Sequence, residues 1–306
     1  MKENIRYIYR NFREIIKNLF IFNKYKVNRN AYDLIRLTHS IEKGLSINNL
    51  RLGFGHDKQN EMLKLINRIN NKKEKTSIEN ESIDMAISSL FEYVKIHEEN
   101  NYCDEFILEL KKFLLNFKNN FAGGTLEVNK KKYNEKEIES FFKSRHSVRD
   151  FSGKEVNINQ LKKAIQLAQC APSACNRQAV NVYILDKKYY SDIENWLEGI
   201  GGFAKDVDKF LIITGKRTAY RLNENYQYIV SPSIYVGYLT LTLQLYGIGS
   251  CVIQRPVIWN KEWSNLQKKH NIPKDEQIIC MIACGILKDK YKVPMSHRID
   301  DISVIL

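Results

Sequence analysis

Apolar residues recur every three or four positions through the N-terminal part of the chain, the spacing that lines side chains along one face of an α-helix. This pattern predicts helices over 4–22, 31–43, 80–97 and 102–119. Gly44 follows the second of these helices, and glycine is common just past a helix end. A glycine-punctuated loop over 50–58 then precedes a further helical segment. The N-terminal part is therefore predicted to be all-helical.

Helical spacing alternates with short apolar runs in the C-terminal part, and such runs are typical of buried strands. The pattern predicts helices over 135–143, 159–170, 231–245 and 261–270, and strands over 180–185, 210–214, 250–253 and 278–287. Ser231 and Pro232 supply an N-cap and a first-turn proline for the long apolar helix. An apolar helix beside a buried sheet indicates an α+β domain.

The two patterns meet where the segment Phe-Ala-Gly-Gly over 121–124 interrupts the helical series. The basic stretch 129–132 is interpreted as a linker or an exposed turn. These features predict a helical N-terminal domain over 1–130 and an α+β domain over 131–306. At 306 residues the chain is long enough for that division and for a substantial buried core.

Composition narrows the class of protein without identifying an activity. A hydrophobic fraction of 43% and a charged fraction of 27% are those of a globular protein. The net charge of +13 favours anionic ligands, acidic surfaces or nucleic acid. Because no nucleic-acid-binding motif accompanies the charge, nucleic acid is not an expected partner.

The six cysteines form no Cys-x-x-Cys pair, and the six histidines do not cluster with them, so no metal site is expected. Cys280 and Cys284 lie in an apolar run and are interpreted as small core residues, which suits a reducing cytoplasm. No apolar run approaches the ~20 residues needed to span a bilayer, and no signal peptide is evident. A cytoplasmic location is therefore predicted.

The first predicted helix is amphipathic and basic. Its apolar positions include Ile5, Ile8, Phe12, Ile15, Ile16 and Leu19, and arginine and lysine fill others. Such a helix can lie on an anionic membrane surface. It can also pack its apolar stripe on its own domain or on a dimer mate, and packing is the favoured interpretation.

Polar residues gather near the ends of the second and third helices. His39, Glu42 and Lys43 precede Gly44, and Arg51 lies in the glycine-punctuated loop. One interpretation is a lid that contacts substrate. The favoured one is a capped helix pair with an internal ion pair. The loop is not a dinucleotide-binding fingerprint, because no strand precedes it and the third glycine is missing.

A short segment over 144–151, Ser-Arg-His-Ser-Val-Arg-Asp-Phe, concentrates groups that bind phosphate. Arginine presents a planar fork of N–H donors that matches two phosphate oxygens, and serine hydroxyls can donate further hydrogen bonds. Arg145, Ser147 and Arg149 alternate, so an extended backbone would place all three on one side. The segment is either a phosphate clamp or a solvated basic surface.

Two later segments favour the clamp. The loop 171–178 reads Ala-Pro-Ser-Ala-Cys-Asn-Arg-Gln, and 246–256 reads Tyr-Gly-Ile-Gly-Ser-Cys-Val-Ile-Gln-Arg-Pro. In this order and spacing, the three segments resemble the FMN-dependent nitroreductase family over roughly residues 135–306. The resemblance implies a nitroreductase-like mixed sheet flanked by helices, here preceded by the all-helical domain. It also implies an intertwined homodimer with FMN at the subunit interface.

The resemblance assigns cofactor contacts to several residues. Arg145, Ser147, Arg149 and Arg298 match positions that contact the phosphate or ribityl chain. Pro172, Ser173 and Asn176 match the loop that the partner subunit places against the flavin. Four consecutive residues match the family's loop along the isoalloxazine ring: Val252, Ile253, Gln254 and Arg255.

The chemistry implied is hydride transfer from NADH or NADPH to flavin N5 and then to a small organic acceptor. Because the flavin carries this chemistry, no residue is predicted to be catalytic. Two departures affect the substrate side. Gln178 is followed by Ala179-Val180 where the family often has Pro-Trp, and Arg255 stands where glycine is common. Arg255 could narrow the site or select an anionic substrate.

The sequence leaves three functions open. The leading prediction is an FMN-dependent NAD(P)H oxidoreductase whose helical domain covers or extends the flavin pocket. A second is a specialised dehydrogenase or oxidase of a biosynthetic intermediate or peptide. A third is a non-catalytic flavin-binding scaffold tethered through the first helix. The physiological substrate cannot be read from the sequence.

Overall fold

The structure is a computed structural model that describes residues 2–25, 28–194, 200–224, 226–254 and 261–298. Its helices are α1 Lys2–Lys24, α2 Arg29–Leu45, α3 His56–Asn70, α4 Ser77–Glu99, α5 Glu105–Leu114, α6 Glu135–Ser144, α7 Ile158–Leu167, α8 Tyr190–Ile193, α9 Gln227–Leu245 and α10 Lys261–Lys269. Its strands are β1 Val180–Asp186, β2 Lys209–Lys216, β3 Ile248–Ile253 and β4 Glu276–Ile286. The predicted fold class, an α+β unit preceded by helices, is confirmed.

Helices α2 to α5 enclose a core of their own. Its fully buried side chains include Leu34, Met62, Leu90 and Ile107, one from each helix. Helix α4 begins with a capping box, in which Thr76 and Glu79 satisfy each other's backbone N–H groups. Amphipathic spacing thus produces an independent apolar cluster in the N-terminal part. Among the described residues, no helix is both long and apolar enough to cross a membrane.

The loop between α2 and α3 is bonded into this helical core. The backbone N–H of Gly53 donates to His97 Nε2 at 3.0 Å, and Tyr93 Oη donates to the Phe54 carbonyl at 2.8 Å. Burial lowers the pKa of His97, which suits a neutral ring whose Nδ1 lies 2.7 Å from the Tyr93 carbonyl. These bonds favour the interpretation of a packed, capped helix pair over a lid.

Glu42 ties the end of the helical part back to α2. One of its carboxylate oxygens accepts hydrogen bonds from Ser89 Oγ at 3.0 Å and from the Gly124 backbone N–H at 3.1 Å. The other lies 3.7 Å from His39 Nδ1. Glu42, near the end of α2, therefore holds the segment around Gly124 against the helical part.

The four described strands form one sheet in the order β1-β2-β4-β3, and all ladder pairings among them are antiparallel. The register between β2 and β4 shifts by one residue between Ile213 and Thr214. A parallel component comes from an isolated bridge between Ser147 and Ser250. The segment that precedes the sheet in sequence therefore adds to its β3 edge.

Both faces of the sheet are covered, which explains its nearly continuous apolar strands. Leu211 and Ile213 of β2 face a cluster that includes Leu161 of α7 and Leu239 of α9. Alternate residues of the same strand face the opposite cluster, which contains Trp263 of α10. Period-two alternation thus separates two cores on the two sides of one strand.

Helix α9 begins earlier than predicted. It starts at Gln227, so Ser231 is not its N-cap and Pro232 lies inside the helix. Proline lacks the N–H that would bond the carbonyl four residues back, which is that of Tyr228. A Cβ on Gly215 would lie 1.9 Å from this carbonyl oxygen, so only glycine allows β2 to approach it. Packing against the sheet thus stabilises the first turn of α9, which the Ser231-Pro232 signal did not predict.

Two other expectations need adjustment. Helix α5 is shorter than the predicted 102–119. It begins after Asp104, which caps it by accepting from the Ile107 N–H at 2.8 Å, and it ends at Leu114. Cys251, Cys280 and Cys284 are buried as small core residues, and burial raises the pKa of the Cys280 thiol to about 12. By contrast, the thiols at positions 103 and 170 are exposed, so only some of the cysteines are core residues.

The helical part packs on the sheet part through α2. Tyr32 and Ile35 are buried in one cluster with Ala219, Tyr220 and Tyr228 of the C-terminal part. Asp33, on the same helix, lies 3.2 Å from the guanidinium of Arg221. This contact joins the two predicted domains, and their boundary near residue 130 stays a prediction.

Helix α1 projects from the body. Ile21 near its C-terminal end is buried, and Phe22 stacks under Arg29 with 3.5 Å between the guanidinium and the ring centroid. The large apolar residues before that end are exposed: Ile5, Ile8, Tyr9, Phe12, Ile15, Ile16, Leu19 and Phe20. The apolar stripe is therefore not covered by the described residues of its own chain.

Candidate functional site

The segment over 145–149 is extended and lies along β3. Helix α6 ends at Ser144, and Arg145 takes an extended conformation. The backbone N–H of Val148 donates to the Ser250 carbonyl at 2.9 Å, and Ser147 pairs in parallel with Ser250. Because side chains alternate along an extended chain, the sequence places the side chains of Ser147 and Arg149 opposite to that of Val148. Val148 is buried and Arg149 is exposed, which agrees with that alternation.

Phe151 fixes the far end of this segment. Its ring occupies the space above Gly249 and Gly285, where a Cβ would approach ring atoms to 3.2 Å and 2.6 Å respectively. The next residue, Ser152, donates its backbone N–H to the Ile286 carbonyl at 2.9 Å. Two glycines on neighbouring strands therefore allow the aromatic anchor to hold the basic segment against the sheet.

The positive charge of the segment lies close to β3. The Arg149 guanidinium is 3.4 Å from the Ser147 carbonyl, so it folds back over its own segment. Burial raises the pKa of the Cys251 thiol, and the nearby charge of Arg149 acts in the opposite direction. Arg145 and Ser147 are half-buried. An anion beside β3 would thus meet guanidinium groups and a hydroxyl.

The residues predicted to contact the flavin ring lie at the end of the same strand. Val252 and Ile253 are half-buried at the end of β3, and Gln254 follows as an exposed residue. At a rise of about 3.4 Å per residue, Val252 and Ile253 lie about 7 Å and about 10 Å along the strand from Ser250. The structure therefore brings Ser147 of the basic segment next to β3, the strand that carries two of the predicted ring-edge residues, Val252 and Ile253. Arg255 lies outside the described residues.

The loop over 172–178 is strained. Cys175, Asn176 and Gln178 have φ values of 52°, 53° and 50°, the left-handed region that residues other than glycine rarely occupy. Side chains hold it: Ser173 Oγ accepts from the Gln178 N–H at 3.0 Å, and Ser231 Oγ accepts from the Ala174 N–H at 3.1 Å. Backbone strain persists only where the surroundings fix it, and it clusters at functional sites.

Arg177 is a residue of this loop that the sequence reasoning missed. Only 1% of it is exposed, and its Nη2 donates to both Glu224 oxygens at 2.9 Å and 2.8 Å. Its guanidinium also lies 5.0 Å from the centroid of the Tyr220 ring. Its position inside the matched loop was the available signal, but the partner is 47 residues away in the chain. Arg177 therefore shapes the loop from inside.

Within one chain the loop and the basic segment lie at opposite ends of α9. The loop contacts Ser231 near the start of the helix, whereas Gln244 near its end donates to the Phe141 carbonyl at 3.5 Å, just before the basic segment. Thirteen residues at 1.5 Å per residue separate these contacts by about 20 Å. The structure does not bring Pro172, Ser173 and Asn176 to the basic segment of the same chain.

Arg298 lies beyond the last strand. The chain leaves β4, and Tyr291 and Val293 pack against the core that also contains Phe151. Lys288 forms an ion pair with Asp150 of the basic segment. Arg298 itself is exposed. The C-terminal strand exit thus runs beside the basic segment, with Arg298 further along it.

Comparison with protein families identifies part of this region. The model of the Nitroreductase family matches residues 142–224, which include the basic segment and the strained loop. A search of curated protein sequences gave no significant match. The predicted resemblance to the nitroreductase family is therefore confirmed, with the family match spanning these residues.

Several solved structures are similar to the chain. An FMN-dependent nitroreductase from Clostridium difficile has 23% identity, and the alignment covers 54% of this chain and 96% of that one with a TM-score of 0.46. A nitroreductase-like protein from Streptococcus mutans has 16% identity, covering 56% and 98% with a TM-score of 0.47. A nitroreductase-like protein from Bacillus cereus has 15% identity, covering 56% and 93% with a TM-score of 0.44.

Proposed function

We propose that this chain is an oxidoreductase of the nitroreductase type that binds FMN along β3 and takes electrons from NADH or NADPH. The observation that carries the proposal is the pairing of Ser147 with Ser250. A segment that contains two arginines and a serine thus lies beside β3, which ends at Ile253. The family match over residues 142–224 supports the same assignment.

The residues present fit the cofactor. A phosphate needs charge-assisted donors, and Arg145, Ser147 and Arg149 provide them on an extended segment. The distance of about 10 Å from Ser250 to the end of β3 suits a flexible chain with phosphate at one end and a ring at the other. Val252 and Ile253 offer half-buried apolar surface for the ring edge. Arg298 and Arg255 are proposed as further contacts from the sequence resemblance.

When bound, FMN supplies the hydride chemistry itself. The role of the chain is to bind, orient and exclude water. Guanidinium groups hold the phosphate end, and the positive charge of a molecule with net charge +13 stabilises an anionic cofactor. No side chain of the chain is required to transfer a proton in this scheme, so none is assigned as catalytic.

We further propose a homodimer in which the partner supplies the loop with Pro172, Ser173 and Asn176. Within one chain this loop lies about 20 Å along α9 from the basic segment. Helix α9 contains no charged residue and is apolar on all sides, yet Val230, Ile234 and Tyr238 are 39–45% exposed. A helix that is apolar all round is normally buried. A second copy that covers its outer face would supply that burial.

The acceptor is proposed to be a small organic molecule that stacks on the open face of the flavin. The helical part is proposed to influence which acceptor binds, because Tyr32 and Ile35 of α2 pack behind the strained loop. A change in α2 would therefore move the wall of the pocket. A specialised dehydrogenase or oxidase would use the same flavin site with a different donor.

The test is an absorption spectrum of the purified full-length protein, followed by anaerobic addition of NADH and, separately, NADPH. The proposal predicts a flavin spectrum that one of the nucleotides bleaches. Bound flavin that neither nucleotide reduces would replace the reductase with a dehydrogenase or oxidase that uses another donor. Absence of flavin after reconstitution with FMN would contradict the proposal and leave a binding or scaffold protein.

A further inference from the structure

Helix α1 carries an apolar face that its own chain leaves open. Residues 5, 8, 9, 12, 15, 16, 19 and 20 follow the three-and-four spacing of one helical face, and each is at least 43% exposed. Isolated exposed apolar residues are ordinary, but a continuous stripe of isoleucine, phenylalanine and leucine marks an interaction surface.

The contacts of α1 with the body leave that face pointing away from the domain. Asn18 accepts a hydrogen bond from the Arg217 guanidinium, and the Phe22 carbonyl accepts one from Arg29. Ile21, which lies between Asn18 and Phe22 in the chain, is buried. These contacts lie in the last two turns of α1, and the large apolar side chains of the preceding turns are exposed.

Basic residues accompany the apolar stripe. The α1 sequence contains six lysine or arginine residues and two glutamates, a net charge of +4 by subtraction. The Arg13 guanidinium lies 5.7 Å from the Tyr9 ring centroid, and the Lys24 ammonium lies 5.3 Å from that of Phe20. Long basic side chains beside aromatic rings are typical at the boundary between a lipid interior and water.

We propose that α1 is an interfacial membrane helix that binds the surface of an anionic lipid bilayer. An amphipathic helix with lysine and arginine beside an apolar face that contains phenylalanine, isoleucine and leucine lies in the plane of the headgroups. The basic residues add electrostatic attraction to anionic lipids. The occupant of the apolar face is therefore lipid, and the sheet part is held close to the membrane.

Charge decides between lipid and a second copy of the chain. The whole molecule carries +13, so another copy brings further positive charge to a helix that is already basic. An anionic bilayer instead brings the opposite charge together with an apolar interior. Vesicle binding distinguishes the two occupants, and only a second copy would make the oligomeric mass depend on the apolar face of α1.

The experiment is flotation of the full-length protein with two kinds of vesicle. One contains phosphatidylcholine alone and the other adds phosphatidylglycerol. We expect the protein to float with the anionic vesicles and to remain unbound with the neutral ones. Raising the ionic strength from about 0.1 M to about 1 M shortens the Debye length from about 10 Å to about 3 Å and should release much of the protein.

Matched variants locate the contact. Phe12→Asp with Ile16→Asp should abolish flotation, whereas Leu115→Asp with Leu126→Asp, at residues 85% and 84% exposed elsewhere, should leave it unchanged. Arg13→Ala and Lys17→Ala should each weaken vesicle binding about fivefold. Thermal unfolding and the flavin spectrum should be unchanged in the α1 variants, which separates this inference from the proposed redox function.

Three outcomes would overturn the inference. These are no flotation of the wild-type protein, equal flotation with neutral vesicles, or undiminished flotation of the Phe12→Asp, Ile16→Asp variant. A loss of dimer mass in that variant, without wild-type vesicle binding, would assign the face to a second copy. A blue-shifted emission of Phe12→Trp on addition of anionic vesicles would support insertion of the apolar face independently.

Discussion

Arg177 and Arg145 show how surroundings separate two roles for one residue type. Arg177 is 1% exposed, and its Nη2 donates to both carboxylate oxygens of Glu224. Arg145 is half-buried at the end of α6 and lies next to a hydroxyl-rich extended segment. A guanidinium whose donors are occupied inside the fold stabilises the loop that contains it. One that is half-buried beside a strand can bind an anionic ligand.

The Arg177 pair should be a major stabilising contact. Arg177→Ala leaves the Glu224 carboxylate without its partner in a largely buried place, and removing one member of such a pair costs about 3 kcal/mol. We expect a fall of that size in the free energy of unfolding by urea denaturation. Arg177→Lys should recover only part of it, because lysine keeps the charge but lacks the planar guanidinium that lies 5.0 Å from the Tyr220 ring centroid. An unchanged midpoint in Arg177→Ala would refute the structural role.

Arg145 should affect cofactor retention more than stability. Arg145→Ala removes a charge-assisted hydrogen bond to the proposed phosphate, worth about 1.5–3 kcal/mol. We expect FMN affinity to fall about tenfold or more, measured by fluorescence of released flavin. Lys143→Ala is a matched control, because Lys143 is exposed and pairs only locally with Glu139 at 2.7 Å. Equal FMN affinity of the two variants would remove Arg145 from the phosphate site.

At the scale of elements, β2 and α9 approach each other more closely than ordinary side chains allow. Gly215 of β2 faces the Tyr228 carbonyl, and a Cβ there would lie 1.9 Å from that oxygen and 2.9 Å from Pro232. The proline leaves this carbonyl without its intrahelical partner. Gly215 of β2, which has no side chain, and Pro232 of α9, which has no N–H, thus take part in the same contact.

Gly215→Ala should therefore destabilise the sheet part. The added methyl group meets backbone rather than a flexible side chain, so α9 must shift, and overpacking of this kind costs about 1–3 kcal/mol. The measurement is the thermal midpoint of the purified variant. Gly201→Ala serves as the control, because a Cβ at that position would have no atom of the described residues within 4 Å. A midpoint equal to that of the control would show that the contact is looser than described.

The elements that could be predicted from sequence are those whose signals are local. The strand over 180–185 and the helix over 135–143 were placed within one residue at each end, because their apolar spacing and capping residues are contained in the element. The start of α9 could not be predicted, since its first turns depend on contact with Gly215 in another strand. Long-range packing overrode the local proline signal.

In the candidate site too, local features could be predicted from the sequence and long-range contacts could not. The phosphate-binding composition of 145–149 was visible from residue types, and its alternation suits the extended backbone found. Its pairing with Ser250, more than a hundred residues later, was not visible, because strand neighbours are set by the whole sheet. Nor could the left-handed conformation of Cys175, Asn176 and Gln178 be predicted, since none of them is glycine.

At the scale of the whole molecule, the helical part and the sheet part share an apolar interface. Tyr32 and Ile35 of α2 pack with Ala219, Tyr220 and Tyr228, close behind the strained loop. Removing the helical part would expose these side chains. The deletion is therefore expected to destabilise the flavin region as well as to change the substrate range, and a point change in α2 is the better probe of acceptor choice.

The proposed dimer makes the strongest demand on the molecule as a whole, because it must complete the flavin site. Tyr238→Asp places a carboxylate on the outer face of α9, where the wild-type side chain is 41% exposed. Burying that charge against a second apolar face is costly without a partner. We expect a monomer by sedimentation equilibrium and, because the partner's loop is then absent, a loss of bound FMN.

A control isolates the effect of the interface. Val128→Asp introduces the same charge at a residue 75% exposed in the linker and should leave both mass and flavin content unchanged. Loss of the dimer with full retention of FMN would mean that one chain suffices for the site, so the loop over 172–178 would have another role. A dimer that persists in Tyr238→Asp would instead place the subunit contact elsewhere and leave the outer face of α9 to another partner.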